Sequence, residues 1–242
     1  MKETRNSKTL SLFGEVLEIN CLEEGLFPLL TTRRIYTRGV IGEFAAFLRS
    51  PKHLKDFEKY GCNYWKLWAK DDGSINVDYG NKWLDFGGVN QLKELIETLK
   101  TNPNDRRMII SAWDPSNLKN LDLPCCHYAY QFYVRNGKLD LLWHQRSADF
   151  MVGVPSDIVL AALMVITIAK ETNLALGTIK MVFGDTHIYE SHIKKAKKQL
   201  NNYMFGSPHY NFTGSGIFNF VPEEIEITDY VCNDKINYEL IG

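Results

Sequence analysis

The sequence predicts an α+β protein, because helical and strand-like patterns alternate along the chain. Apolar residues at helical spacing mark one group of segments, and short stretches rich in β-branched and aromatic residues mark the other. The dipeptide Asn136-Gly137, between two strand-like stretches, is a strong hairpin signal. We therefore expect helices packed on a largely β core.

Four segments have the pattern of helices. One-sided apolar spacing predicts helices over residues 39–48 and 89–99. The triplet Pro155-Ser156-Asp157 is typical of a helix start, which predicts a buried helix over residues 158–172. Residues 187–200, with lysines facing water, are predicted to form the fourth helix. The predicted strands are residues 108–113, 128–134, 139–144 and 179–183.

Length and charge bound the class of protein. The chain has 242 residues without a repeat or linker, which predicts one domain over residues 1–242. The formal net charge of -1 selects neither nucleic acid nor membrane as a partner, so local arginines must hold any anionic ligand. The longest apolar stretch, residues 158–169, is shorter than the roughly 20 residues that span a bilayer.

Cysteine usage indicates a reducing compartment. Five cysteines occur without a CxxC motif, and the N-terminal segment has no signal-peptide core. A reduced cytoplasmic protein is the simplest interpretation. No cysteine or histidine spacing predicts a metal site.

Cys126 is the first candidate for chemistry, since it stands directly before a predicted strand with His127 beside it. A histidine neighbour and nearby arginines lower the pKa of a thiol and increase its reactivity. Two other interpretations stay open at this point. Free cysteines are usually small buried residues, and the adjacent Cys125 allows a vicinal redox pair.

Charged groups at the ends of predicted elements are the other candidates. Arg106-Arg107 precedes a strand and Arg146-Ser147 ends one; arginine suits bidentate phosphate contacts, with solvated surface arginine as the alternative. Glu43 lies in an otherwise apolar helical segment, where a carboxylate is costly unless it is paired or functional. A glutamate on the solvent side of that helix is the alternative.

In their order along the chain, these pieces resemble the thymidylate synthase family over nearly the whole sequence. The stretches that carry the resemblance are residues 9–14, 27–34, 42–48, 105–107, 124–127, 131–134, 145–149 and 184–189. Several long motifs in the correct order make the resemblance specific. It implies the thymidylate synthase-like fold, with a central mixed β-sheet and packed helices in two to three layers.

The resemblance also implies a reaction. Cys126 would attack C6 of a pyrimidine nucleotide and so make C5 nucleophilic toward the one-carbon unit of the co-substrate 5,10-methylenetetrahydrofolate. Glu43 would move protons through ordered water, and Tyr79 would assist near C5. His127 would help to order water near the base.

Ligand contacts follow from the same resemblance. The family is an obligate homodimer with shared sites, so Arg106 and Arg107 would reach the 5′-phosphate from the partner subunit. The nucleotide positions within one chain are Arg146 and Ser147 for the phosphate, His187 and Tyr189 for the sugar, and Gln145, Asp149 and Asp157. The folate positions are Trp65, Asp149, Gly153 and Arg33. An N-terminal phosphate arginine aligns near Thr4 and Arg5.

Asp157 departs from the family pattern, which has asparagine at this position. An amide suits the N3–H donor and O4 acceptor of uracil, whereas a carboxylate accepts from the N4 amine of cytosine and shares a proton with N3. An unpaired buried polar group costs about 1–3 kcal/mol, or roughly one to two decades of selectivity. Asp157 therefore favours cytosine, with a helix N-cap as the structural alternative.

Asp157 and the loop of residues 73–80, which lacks a Gly-Pro, resemble the deoxycytidylate hydroxymethylases, viral relatives in this superfamily. This implies C5 hydroxymethylation of dCMP. Ser156 replaces a phenylalanine, and residues 237–242 differ from the usual closing tail, so we expect water to add in place of hydride. The alternatives are methylation of dCMP or dUMP, hydroxymethylation of CMP, and a non-catalytic nucleotide- or RNA-binding relative.

Overall fold

The computed structural model describes residues 1–4 and 7–241, so the expectation for Arg5 lies outside the described residues. A six-stranded sheet in the order β1-β2-β6-β5-β4-β3 forms the centre. Its strands are β1 (Lys2–Glu3), β2 (Lys8–Ile19), β3 (Ile109–Ser111), β4 (His127–Arg135), β5 (Lys138–Asp149) and β6 (Ala175–Tyr189). A separate antiparallel pair is formed by β7 (His209–Phe212) and β8 (Ile225–Thr228).

Helices pack on one face of the large sheet. They are α1 (Thr37–Phe47), α2 (Leu54–Glu58), α3 (Tyr79–Leu84), α4 (Gln91–Thr101), α5 (Gly153–Thr172) and α6 (Ile193–Gln199). Helix α5 packs against α1, β5 and β6. Because side chains alternate along a strand, the opposite face carries Val16, Ile109 and Tyr133, which are exposed. The described chain is therefore two-layered, and the predicted α+β class with a mixed sheet is confirmed.

The hairpin and the crossover fix the centre of the sheet. Asn136 and Gly137 have φ values of 53° and 73°, as a tight turn with two left-handed residues requires, and they join β4 to β5. Strands β5 and β6 are parallel, while the other neighbouring strands are antiparallel. A parallel pair needs a long crossover, and α5 supplies it.

Helix α5 is the core of the protein. Its length and composition would also suit a membrane span, but 83% of its most apolar window is buried inside the protein. The predicted helix over residues 158–172 started too late, because Asp149 Oδ1 accepts from the backbone N–H of Met151 and Val152 and turns the chain directly into the helix. Asp157 therefore lies inside α5 and is not its N-cap, which removes the structural alternative for this residue.

Three other sequence predictions were wrong in detail. The segment 187–200 is not one helix: β6 continues through Tyr189, and α6 begins at Ile193. Val89 lies outside α4, because Asn90 caps that helix by accepting from Lys93 N–H at 2.9 Å. No strand was predicted over β2, where Leu12, Phe13 and Val16 are exposed and Ile19 is buried, so its apolar residues do not alternate with polar ones to mark one buried face.

Candidate active site

One cavity of about 930 Å³ lies between α1, the start of α5 and the ends of β5 and β6. Because β5 and β6 are parallel, their last residues meet at one edge, with Ser147 beside Asp185 and Asp149 beside His187. All the predicted site residues except Arg106 and Arg107 line this cavity. Segments far apart in sequence are therefore brought together as the motif order predicts, while the role of each residue stays a prediction.

The candidate nucleophile Cys126 is held by its neighbours on both sides. Its backbone N–H donates to Tyr79 Oη at 2.9 Å, and its backbone carbonyl accepts from Arg146 N–H at 2.8 Å. The Arg146 guanidinium donates to the carbonyls of Cys125 and Pro124 at 2.8 and 2.9 Å. These bonds keep the loop before β4 and the end of β5 in fixed register.

The pKa of the Cys126 thiol is raised above its ordinary value, because the protein packed around it disfavours the charged form. Arg146 opposes this shift and Asp157 reinforces it. Arg146 therefore lowers this pKa as expected, but burial outweighs its effect. His127 does not favour the thiolate of Cys126, because burial lowers the pKa of His127 to about 3 and keeps its ring neutral.

Tyr79 is positioned by close packing of α3 on α1. Its ring stacks on Phe47 with centroids 5.2 Å apart. A Cβ on the next residue, Gly80, would lie 1.8 Å from the Phe47 carbonyl oxygen, so only glycine permits this approach. The absence of a side chain at Gly80 thereby places the Tyr79 hydroxyl beside Cys126.

Glu43 lies on the buried side of α1 and not on its solvent side. Trp65 Nε1–H donates to Glu43 Oε1 at 2.6 Å. Burial raises the pKa of Glu43 to about 7, against the opposing effect of Tyr64 and Trp65. A carboxyl that titrates near neutrality in a cavity wall is suited to accepting and returning a proton.

Asp157 and His127 form the innermost polar wall. Asp157 Oδ2 accepts from Gln145 Nε2 at 2.7 Å, and Oδ1 lies 3.8 Å from His127 Nε2. His127 Nδ1 lies 2.6 Å from Tyr130 Oη. Burial raises the pKa of Asp157 to about 8, with Glu43 as a smaller cause in the same direction. Asp157 is therefore mainly a neutral acid at neutral pH, with one hydroxyl donor and acceptor oxygens.

A polar group at the end of β6 faces the same cavity. Asp185 was not predicted as a site residue, although it lies in residues 184–189, one of the stretches that carry the family resemblance. Its Oδ1 lies 3.1 Å from His187 Nδ1, and its Oδ2 accepts from Lys2 Nζ at 2.6 Å. Asp185 thus orients His187, the residue predicted to contact the sugar.

The predicted folate residues and the C-terminal segment form the outer wall. Arg33 donates to the Met151 carbonyl, and its Nε has no hydrogen-bond partner among the described residues. Residues 235–238, 240 and 241 also line the cavity. Tyr238 lies under the Arg33 guanidinium at 5.2 Å and donates to Gln199 Oε1 at 2.9 Å. Sequence reasoning missed Tyr238, because the tail was compared only with the family's usual one.

Arg106 and Arg107 lie outside the cavity of their own chain. Both are exposed, and Arg107 forms a bidentate pair with Asp105, with Nε and Nη2 at 3.0 and 2.7 Å from the carboxylate oxygens. Among residues 1–4 and 7–241, the arginines that line the cavity are Arg33, Arg34 and Arg146, and of these Arg146 adjoins Ser147, the other predicted phosphate residue. Over the same residues, no group of three or more His, Cys, Asp or Glu is placed to hold a metal ion.

Comparison with known proteins supports the motif assignment. The profile of the family described as thymidylate synthase matches residues 1–241. The chain is 36% identical over 258 aligned positions to a protein of Paramecium tetraurelia described as a bifunctional dihydrofolate reductase-thymidylate synthase. The alignment covers 96% of this chain and 55% of the relative, so the chain spans about half the length of that curated protein.

Proposed function

The chain belongs to the thymidylate synthase family, and from this membership we propose that it transfers a one-carbon unit from a reduced folate to C5 of a pyrimidine nucleotide. Within that class, we propose dCMP as the acceptor and 5-hydroxymethyl-dCMP as the product. The observation that carries this choice is Asp157, a buried carboxyl in the cavity wall where the family pattern has asparagine.

The first step is addition of the Cys126 sulfur to C6 of the base. The thiol must lose its proton, and the Arg146 guanidinium is the nearby group that favours the thiolate. A nucleotide phosphate near Arg146 would hold the base in place for this attack. Covalent addition leaves electron density at C5, which then acts as the carbon nucleophile.

In the proposed reaction, Asp157 selects the base. A neutral carboxyl offers one donor and one acceptor, and cytosine presents an N3 acceptor beside an N4 amine donor. The pKa of about 8 supplies the proton that the second bond requires at neutral pH. When the shared proton moves from Asp157 to N3 of the base, the pair becomes charge-assisted and is stronger than two neutral hydrogen bonds.

The outer wall fits a reduced folate as co-substrate. The Arg33 guanidinium and the Asp149 carboxyl are polar groups in the cavity wall, and Trp65 supplies an aromatic wall. When bound, the folate supplies a carbon at the oxidation level of formaldehyde. Trp65, Asp149, Gly153 and Arg33 would hold it against the nucleotide.

Hydration separates hydroxymethylation from methylation. After C5 has taken the carbon, loss of the C5 proton and departure of tetrahydrofolate leave an exocyclic methylene on the base. In the proposed reaction a water molecule adds to this methylene, and expulsion of the Cys126 thiolate from C6 restores the ring double bond and releases the product. Glu43, whose pKa is about 7, accepts the proton of that water. Ser156 lines the cavity and gives the water more room than a phenylalanine would.

Methylation of dCMP or dUMP is the second candidate, and the C-terminal segment favours it. Residues 235–238, 240 and 241 line the cavity, and Tyr238 is anchored by Arg33 and Gln199. A segment that covers the folate side excludes water, which favours hydride transfer to the methylene.

A homodimer completes the proposed site. Arg106 and Arg107 cannot reach their own cavity, so a second copy of the chain must bring them to the phosphate. The exposed apolar side chains on the open face of the sheet, among them Val16 and Tyr133, suit a symmetric contact.

Turnover of dCMP in heavy-oxygen water tests the proposed reaction. We expect heavy oxygen in the product, release of tetrahydrofolate and no absorbance change from dihydrofolate. Product without the label, formed together with dihydrofolate, would establish methylation instead. Hydroxymethylated product from dUMP but not from dCMP would refute the base assignment alone.

A further inference from the structure

The amide of Gln145 is held in one orientation by two groups that each have a single hydrogen-bonding role. Trp143 Nε1 can only donate, and it lies 3.2 Å from Gln145 Oε1. The Ser147 carbonyl can only accept, and it lies 3.1 Å from Gln145 Nε2. Inverting the amide would place donor against donor and acceptor against acceptor.

The orientation of the Gln145 amide determines which hydrogen bond Asp157 can make with it. Because Gln145 Nε2 can only donate, the Oδ2 position of residue 157, 2.7 Å away, must be an acceptor. Trp143, Gln145 and Asp157 are all buried, with exposed fractions of 0%, 2% and 8%. The paired donors and acceptors therefore give the Gln145 amide one favourable orientation.

We propose that Trp143 and Gln145 are positioning residues that fix the direction in which residue 157 reads the base. The inference rests on the proposed function in one respect, namely that residue 157 contacts the base edge. In an amide at residue 157, Oδ2 as the acceptor places the NH₂ at the Oδ1 position. The amide then offers one donor–acceptor order, which matches one of cytosine and uracil and opposes the other. The carboxyl of Asp157 also accepts from Gln145 through Oδ2, but it can share its proton with N3 of the base from either oxygen.

The clearest test uses an Asp157→Asn background, because an amide cannot move its hydrogens by proton transfer. Dissociation constants for dCMP and dUMP are measured by equilibrium binding, with and without a second change, Trp143→Phe. This change removes the N–H that orients Gln145 and keeps an aromatic ring. The matched control is Trp83→Phe, at another fully buried tryptophan, which packs on the Tyr130 ring at 5.3 Å and has no bond to Gln145.

We expect Trp143→Phe to reduce the ratio of the two dissociation constants by about tenfold, since one misdirected hydrogen bond no longer separates the bases. Trp83→Phe should leave the ratio unchanged. Gln145→Met in the same background removes the donor itself and should reduce the ratio in the same way.

Equal weakening of both nucleotides, with the ratio preserved in the Trp143 and Gln145 variants, would assign these residues a purely structural role and overturn the inference. A wild-type chain that turns over dUMP and not dCMP would refute the proposed function but not this one, because only the change in the binding ratio counts. A wild-type chain that binds neither nucleotide would refute both.

Discussion

The base end and the phosphate end of the cavity differ in how much of their chemistry one chain holds. At the base end, Cys126, Glu43 and Asp157 each have a defined hydrogen-bonding partner within the chain. At the phosphate end, Arg146 stands without Arg106 and Arg107, which are exposed and outside the cavity. We infer that packing within one subunit builds the base end, whereas the phosphate end needs a second copy.

Removing the nucleophile is the strongest way to break the base end. Cys126→Ser should lower turnover at least about 10³-fold, because a hydroxyl is a far weaker nucleophile than a thiolate. The matched control is Cys125→Ser, at the neighbouring thiol, which is buried and does not line the cavity. Steady-state rates are compared per folded protein. Equal losses in the two variants would refute the assignment of Cys126.

Removing Arg106 and Arg107 tests whether the phosphate end needs these two side chains. Arg106→Ala combined with Arg107→Ala should lower kcat/KM for the nucleotide by about a hundredfold, since two charge-assisted phosphate contacts are lost. Arg135→Ala, which removes another exposed and ion-paired arginine, should have little effect.

Mixing the double arginine variant with Cys126→Ser should then restore about a quarter of wild-type activity, because half of the random dimers hold one intact site. Activity that stays at the level of the separate variants, despite subunit exchange shown by tagged chains, would contradict a shared site.

Disturbing the close packing of α3 on α1 at the base end should cause a smaller loss of activity. Gly80→Ala would drive a Cβ against the Phe47 carbonyl, displace α3 and move Tyr79 away from Cys126. We expect kcat to fall on the order of tenfold, as for other small misplacements in an active site. Gly206→Ala is the control, because its Cβ meets nothing within 4 Å. A Gly80→Ala enzyme with full kcat would show that Tyr79 need not hold its position.

The pH dependence of activity is the smallest expected effect. It follows from the two carboxyls at the base end, whose pKa values are both raised. Activity should rise through pH 7 as Glu43 loses its proton, and it should fall through pH 8 as Asp157 loses its own. The kcat/KM profile is then a narrow bell. Glu43→Gln should remove the acid limb and Asp157→Asn the alkaline limb. A flat wild-type profile between about pH 6 and pH 9 would contradict both roles.

The sequence predicted the contents of the cavity better than the elements that carry them. The structure places Cys126 and Arg146, which motif order assigns to one site, on the wall of one cavity, because the antiparallel pairing of β4 with β5 brings the start of β4 to the end of β5. Their roles stay predictions. The sequence pattern predicted His187 to lie on a helix, which was wrong. Pairing with β2 extends β6 through Tyr189, and composition alone does not reveal that long-range pairing. The raised pKa of Cys126 depends on burial, which no local pattern reveals.

Competition among dCMP, dUMP and CMP, at equal concentrations with 5,10-methylenetetrahydrofolate, tests the central claim most directly. Product masses identify both the acceptor and the group that is added. The base end described above predicts that dCMP gains CH₂O while dUMP and CMP remain unchanged. Conversion of dUMP to its methylated product, with dCMP left intact, would contradict it.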